Sequence, residues 1–86
     1  MYRIKYRRSA RNYIARLPIK TKIAIVNKLH DLAINPDNPN LDTKVLKGQI
    51  GWRLRIGKYR VLYTREDDIL IIEVVKVGSR GDIYKR

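Results

Sequence analysis

Residues 52–65 constrain this chain most. Trp52, Leu54 and Ile56 alternate with Arg53 and Arg55; after Gly57-Lys58, Tyr59, Val61 and Tyr63 alternate with Arg60, Leu62 and Thr64. A period of two over both arms predicts two half-buried strands, and the two-residue break between them predicts a tight hairpin. One face of that hairpin is apolar and must be covered by another layer, while the other collects guanidinium groups.

The covering layer is expected from residues 10–34. Ala10, Tyr13, Ile14 and Leu17 recur at helical spacing, with Ser9 placed to cap the first turn. Pro18 should end this helix, because it disfavours helical geometry at Leu17, and it suits the first turn of the next. In the second helix Ile19, Ile23, Val26, Leu29 and Ala33 form one stripe, widened by Ile25 and Leu32, up to Asn35-Pro36. Before these helices, Tyr2, Ile4 and Tyr6 alternate with Arg3, Lys5 and Arg7 as in a strand. Beyond the hairpin, Glu66-Asp67-Asp68 reads as a turn carrying solubilising charge. Ile69–Val77 is apolar on both faces and reads as a central strand, ended by Gly78-Ser79-Arg80-Gly81. The turn-rich Asn35–Asn40 is too short to separate domains. The expectation is one α+β domain over residues 1–86, order β-α-α-β-β-β, with a helical hairpin on a mainly antiparallel four-stranded sheet.

Composition narrows the chemistry. There is no Cys, which excludes disulfides and thiolate metal sites, and His30 is the only histidine, so a His-rich metal site cannot be built and a Ser-His-Asp triad would have to use that one helical residue. His30 reads as the margin of a buried stripe. No Gly-rich phosphate loop occurs. The longest apolar run, Ile69-Leu70-Ile71-Ile72, is far below a membrane span, so a soluble cytoplasmic protein without a membrane partner is expected. With 20 Lys+Arg against 8 Asp+Glu the net charge is +12, which favours polyanionic partners, nucleic acid first. Whatever chemistry is present must use Arg, Lys, Tyr and backbone. Arg53, Arg55 and Arg60 share the open face of the hairpin, Lys76 joins them if the registers align, and Arg80 and Tyr84 follow the last strand. Guanidinium groups bind phosphate oxygens through paired hydrogen bonds and stabilise charge developing on a phosphorane. An ordinary basic sheet face would produce the same alternation.

Residues 46–63, Leu-Lys-Gly-Gln-Ile-Gly-Trp-Arg-Leu-Arg-Ile-Gly-Lys-Tyr-Arg-Val-Leu-Tyr, resemble the signature hairpin of the RelE/ParE superfamily of bacterial and archaeal toxins. Val77–Arg86 resembles its C-terminal segment, and the element order agrees, so the resemblance spans nearly the whole chain. It implies a RelE-like fold and a type II toxin that cleaves messenger RNA on the ribosome, where it also contacts 16S ribosomal RNA. It further implies neutralisation by an acidic RelB-like antitoxin, and an operon repressed by the toxin–antitoxin complex, which alone would contact operator DNA. Carried over by position, the catalytic set is Arg55, Arg60, Arg80 and Tyr84. Arg53, Lys47, Lys58 and Lys76 would contact RNA or the ribosome, and no metal or cofactor is implied. Ser79 stands where many relatives have a histidine, which favours the lysine/arginine/tyrosine style of site, and only two residues follow Tyr84, where some relatives carry a further helix. Two other functions stay open: a ParE-like gyrase poison, which shares the fold without needing the Arg/Tyr set, and a noncatalytic nucleic-acid-binding or repressor subunit.

Overall fold

The computed structural model describes residues 1–48 and 51–79. Seven elements follow one another: β1 (Arg3–Tyr6), α1 (Arg8–Ala15), α2 (Ile19–Ile34), β2 (Asp42–Val45), β3 (Trp52–Ile56), β4 (Tyr59–Glu66) and β5 (Ile71–Ser79). They form an α+β fold in which both helices cover one face of a five-stranded sheet ordered β1-β5-β4-β3-β2. The β1–β5 pair is parallel and the other three are antiparallel, so β5 is central as its two-sided apolar sequence requires.

The fifth strand is β2, absent from the four-strand expectation. Asp42-Thr43-Lys44-Val45 has no buried residue and pairs only with β3. An edge strand outside the core needs no apolar alternation, so the hydrophobic pattern carries no trace of it. The last strand also runs through Gly78 and Ser79, where a break was expected. Opposite Leu62/Tyr63 its register shifts: Lys76 pairs with Leu62 and Val74 with Tyr63, leaving Val75 as the extra residue of a bulge. The bulge reverses the alternation, so Val74 and Val77 both reach the core although three positions separate them.

The helices differ from expectation in their phase and caps. In α2 the buried set is Ile25, Leu29, Leu32 and Ala33, while Ile19, Ile23 and Val26 are 65%, 52% and 43% exposed. Apolar residues lie around most of this helix, so two stripes overlap, and packing on the sheet selects the second. His30 is exposed rather than at a buried margin. Ser9 lies inside α1, whose N-cap is Arg7, and neither helix has a side-chain cap.

Two glycines fix the hairpin. Gly57 takes φ 58° between the paired Ile56 and Tyr59, at the first central position of a two-residue turn, where L-residues are strained. Gly51 takes φ 130°, and a Cβ there would lie 2.9 Å from the Tyr63 carbonyl oxygen, so any side chain would push β3 off β4.

Candidate functional site

The register of β3 and β4 sets the open face. Arg55 lies directly across from Arg60, Arg53 from Leu62 on one side and Lys44 on the other, and Leu62 from Lys76. Arg53, Arg55, Arg60 and Lys76 therefore share the face turned away from the helices, as the alternation indicates. Lys44 and Asp42, which the sequence reading passed over, join them from β2. The missed signal is the short β-branched pair Thr43 and Val45 around Lys44.

Burial ranks the three guanidinium groups. Arg55 is exposed, the Arg53 side chain is 17% exposed, and Arg60 as a whole only 7%. Asp42 serves the first two: Arg53 Nη2 donates to its Oδ1 at 3.0 Å, and Arg55 Nη1 lies 3.8 Å from its Oδ2. Arg60 has no such partner among the described residues, and its Nη1 is buried without a hydrogen bond, as is Arg53 Nε. Across the strand from Arg60 on β5 stands Gly78. Like charges directly opposed in a sheet repel, and a buried charge without a partner is costly. An anion bridging the two guanidinium groups would offset both penalties, since arginines bind phosphate and other oxyanions through paired hydrogen bonds.

The remaining positions spread around this centre. Lys47, in the turn after β2, borders a groove of about 250 Å³ with Lys44, Val45, Leu46 and Arg53, an extension of the same basic surface. Lys58 sits at the tip of the hairpin. Its Nζ lies 5.6 Å from the Tyr59 ring centroid, and it borders a hollow against Lys20, Thr21 and Ala24 of α2, so it belongs to the helix side rather than to the arginine face. Arg80 and Tyr84 lie outside the described residues.

A second arginine cluster, on the opposite face of β4, went unread in the sequence. Arg65 donates from Nε to Asp67 Oδ1 at 2.8 Å and from Nη1 to Asp37 Oδ1 at 3.0 Å. Its guanidinium carbon lies 5.4 Å from the Trp52 ring centroid and 5.9 Å from that of Tyr2. Tyr2 Oη donates to Asp67 Oδ1 at 2.9 Å. Asp67 is thus a structural acceptor, not merely solubilising charge. The bonds from Arg65 and then Tyr2 hold its carboxyl below the usual range, while the bond to Asp67 pushes the Tyr2 phenol up.

A small α+β domain with a helical pair on one face of the sheet and, on the other, a directly opposed arginine pair whose buried member has no ion pair among the described residues fits a basic toxin of the RelE/ParE type. Comparison with known proteins bears this out: residues 4–84 match the family model for the ParE toxin of the type II toxin–antitoxin system parDE, and the chain belongs to the RelE/ParE superfamily. It is a RelE-like toxin of a toxin–antitoxin system. A RelE-like toxin protein of Escherichia coli is 31% identical over 96% of this chain and 90% of its own length. The toxin in the RelE–RelB complex of Pyrococcus horikoshii superposes with a TM-score of 0.80 at 25% identity, covering 94% of this chain and 97% of that one. For the RelBE2 complex of Mycobacterium tuberculosis the values are 0.79, 26%, 92% and 98%.

Proposed function

We propose that this toxin is a ribosome-dependent endoribonuclease that cuts messenger RNA and so halts translation in the cytoplasm. The observation that carries the reading is the Arg55–Arg60 pair, with Arg60 buried and unneutralised among the described residues. In the proposed reaction the substrate's 2′-oxygen attacks the adjacent phosphorus, and the bond to the 5′-oxygen breaks. The products are a 2′,3′-cyclic phosphate and a 5′-hydroxyl end. The nucleophile arrives with the substrate, so the protein's task is to orient it and stabilise the phosphorane. Arg55 and Arg60 take the charge on the non-bridging oxygens, Tyr84 accepts the 2′ proton, and Arg80 stabilises the leaving 5′-oxygen, which takes up a proton from water. A phenol with a pKa near 10 is a weak base at neutral pH, and neighbouring guanidinium groups favour its phenolate. Arg53, Lys47 and Lys76 hold flanking phosphates or ribosomal RNA, and Lys58 offers a cation at the hairpin tip.

The partner that silences this activity is an acidic RelB-like antitoxin, and the complex of the two represses their operon. The Pyrococcus and Mycobacterium relatives were solved as toxin–antitoxin complexes, which supports this assignment. The match to a family model named for ParE favours a second reading, a gyrase poison. Pulse-labelling after induction separates the two. Protein synthesis should fall first, with new 5′ ends inside messages by primer extension; early loss of DNA synthesis with intact messages would overturn the nuclease. On saturated, message-programmed ribosomes Tyr84→Phe should slow single-turnover cleavage by about 10²–10⁴-fold, the usual loss of a general base. Parent-rate cleavage would remove Tyr84 from that role.

A further inference from the structure

The open face is laid out in rows across the sheet. Asp42, Arg55, Arg60 and Gly78 follow one another across β2, β3, β4 and β5, and Lys44, Arg53, Leu62 and Lys76 form the next row. Asp42 is the one acid in these eight positions. Its carboxylate reaches both arginines of β3: Oδ1 accepts from Arg53 Nη2 at 3.0 Å, and Oδ2 lies 3.8 Å from Arg55 Nη1. One oxygen to each guanidinium is also how a phosphate would bridge the same pair. Stability is a weak reason for this placement, because an ion pair as exposed as Arg55–Asp42 adds little to a fold. For anion binding the placement is adverse, because a carboxylate repels any phosphate that approaches the arginines it serves.

We propose that Asp42 is a positioning residue that sets the register of the RNA backbone on the sheet. Its carboxylate fills the anion seat between Arg53 and Arg55, so the scissile phosphate takes the seat that is left, between Arg55 and Arg60. The inference rests on the nuclease reading above and adds a residue to it. Arg55 belongs to both seats, one along β3 and one across to β4. At 3.8 Å it is attracted by Asp42 without being hydrogen-bonded, so its donors stay available for the substrate. Arg60 is buried and has no ion pair among the described residues, so no internal anion competes for it. Without the carboxylate both seats stand open. A phosphate in the wrong one carries its 2′-oxygen out of line, where even about an ångström costs about a hundredfold in rate.

The test uses the full chain with Asp42→Asn, which is isosteric and neutral, and with Asp42→Glu, which keeps the charge. The probes are message-programmed ribosomes and a single-stranded 2′-O-methyl oligoribonucleotide, which has no free 2′-hydroxyl to attack. In the Asn variant kcat and KM should fall together, each by about tenfold or more, because binding in the wrong seat is tight and unproductive. Their ratio should stay near the parent value. The salt slope of oligonucleotide binding should steepen by about 0.7, the share of one phosphate on a single strand. The Glu variant should return kcat, KM and slope toward the parent. Parent kinetics, a raised KM, a fall in kcat alone, an unchanged slope, or a Glu variant that behaves like Asn would each overturn the proposal. If the Asn variant does not fold, Asp42→Ser opens the same seat and is held to the same readings. A parent chain that fails to cleave on ribosomes defeats the nuclease reading, and the oligonucleotide slope still decides whether Asp42 excludes a phosphate.

Discussion

Arg60 and Arg65 stand five residues apart on the same strand and do opposite things. Arg65, on the helix side, is saturated: two carboxylates take its donors and two aromatic rings flank it. Arg60, on the open side, is more deeply buried as a residue, and yet it meets another arginine across the strand and leaves Nη1 unbonded among the described residues. An arginine that finishes its hydrogen bonds within the protein ties segments together. One that is buried without them leaves an electrostatic demand that only a ligand meets. Between Arg60 and Arg65, pairing rather than burial is what differs.

The same substitution at both positions should therefore split function from stability. Arg60→Met keeps the side-chain volume and removes the charge. Cleavage on saturated ribosomes should drop by about 10²–10³-fold, the loss of about 2.7–4 kcal/mol typical of one transition-state donor. Its urea midpoint should hold or rise, because an unpaired buried charge has gone. A lower midpoint with parent cleavage would reverse the roles assigned to the two arginines.

Arg65→Met should do the converse. It severs the link between the Asn35–Asn40 connection, the turn after β4 and the N-terminal Tyr2. The expected cost is about 2–3 kcal/mol in urea unfolding, the range of charge-assisted hydrogen bonds. Asp37 and Asp67 are mostly exposed and regain water, so the larger penalty of stranding a buried charge does not apply. Cleavage per folded molecule should stay near the parent rate.

How far this contrast was legible follows from what each residue answers to. Alternation marks which face a side chain takes when a core lies on one side, so β1, β3, β4 and the Arg53/Arg55/Arg60 face follow from spacing alone. It is silent where no core exists, which hides β2 and with it Asp42, the carboxylate that distinguishes the held Arg53 from the bare Arg60. It is ambiguous where apolar residues surround the element, as in α2, and it loses phase at the Val75 bulge. Arg65 was beyond reach because its partners Asp37 and Tyr2 lie 28 and 63 positions away, and a carboxylate in a turn looks the same whether it is solvated or bonded. The roles of Arg80 and Tyr84 rest on resemblance to the toxin family.

Acid should loosen the Arg65 side of the comparison before the Arg60 side. The Asp67 carboxyl is held below its unfolded value, first by Arg65 and then by Tyr2. A depressed folded pKa means that its stabilisation is complete above about pH 4, near the unfolded carboxyl value, and is lost as pH falls through the folded one. Urea midpoints measured at about pH 5 and pH 3 should therefore converge in Asp67→Asn relative to the parent. An equal acid drop in both proteins would show that Asp67 is not linked to folding.

Tyr63 sharpens the comparison from the other direction, with the smallest effect. Like Arg60 it is buried, at 1% exposure, and its hydroxyl has no partner among the described residues. Unlike Arg60 it is neutral, and it faces the core rather than the open sheet. A buried neutral hydroxyl without a partner carries a desolvation cost, so Tyr63→Phe should hold or raise stability at pH 7, by about 1 kcal/mol. It should leave cleavage untouched. Burial pushes the phenol up to about 12, above its unfolded value near 10. A raised folded pKa gives stabilisation that is complete below about pH 10 and lost as pH rises through 12. The Phe variant should therefore lose less stability than the parent between pH 9 and pH 11, measured by urea titration at about those two values. A Tyr63→Phe protein that unfolds easily at neutral pH would mean that the hydroxyl is bonded after all, and that a missing partner is no guide to Arg60 either.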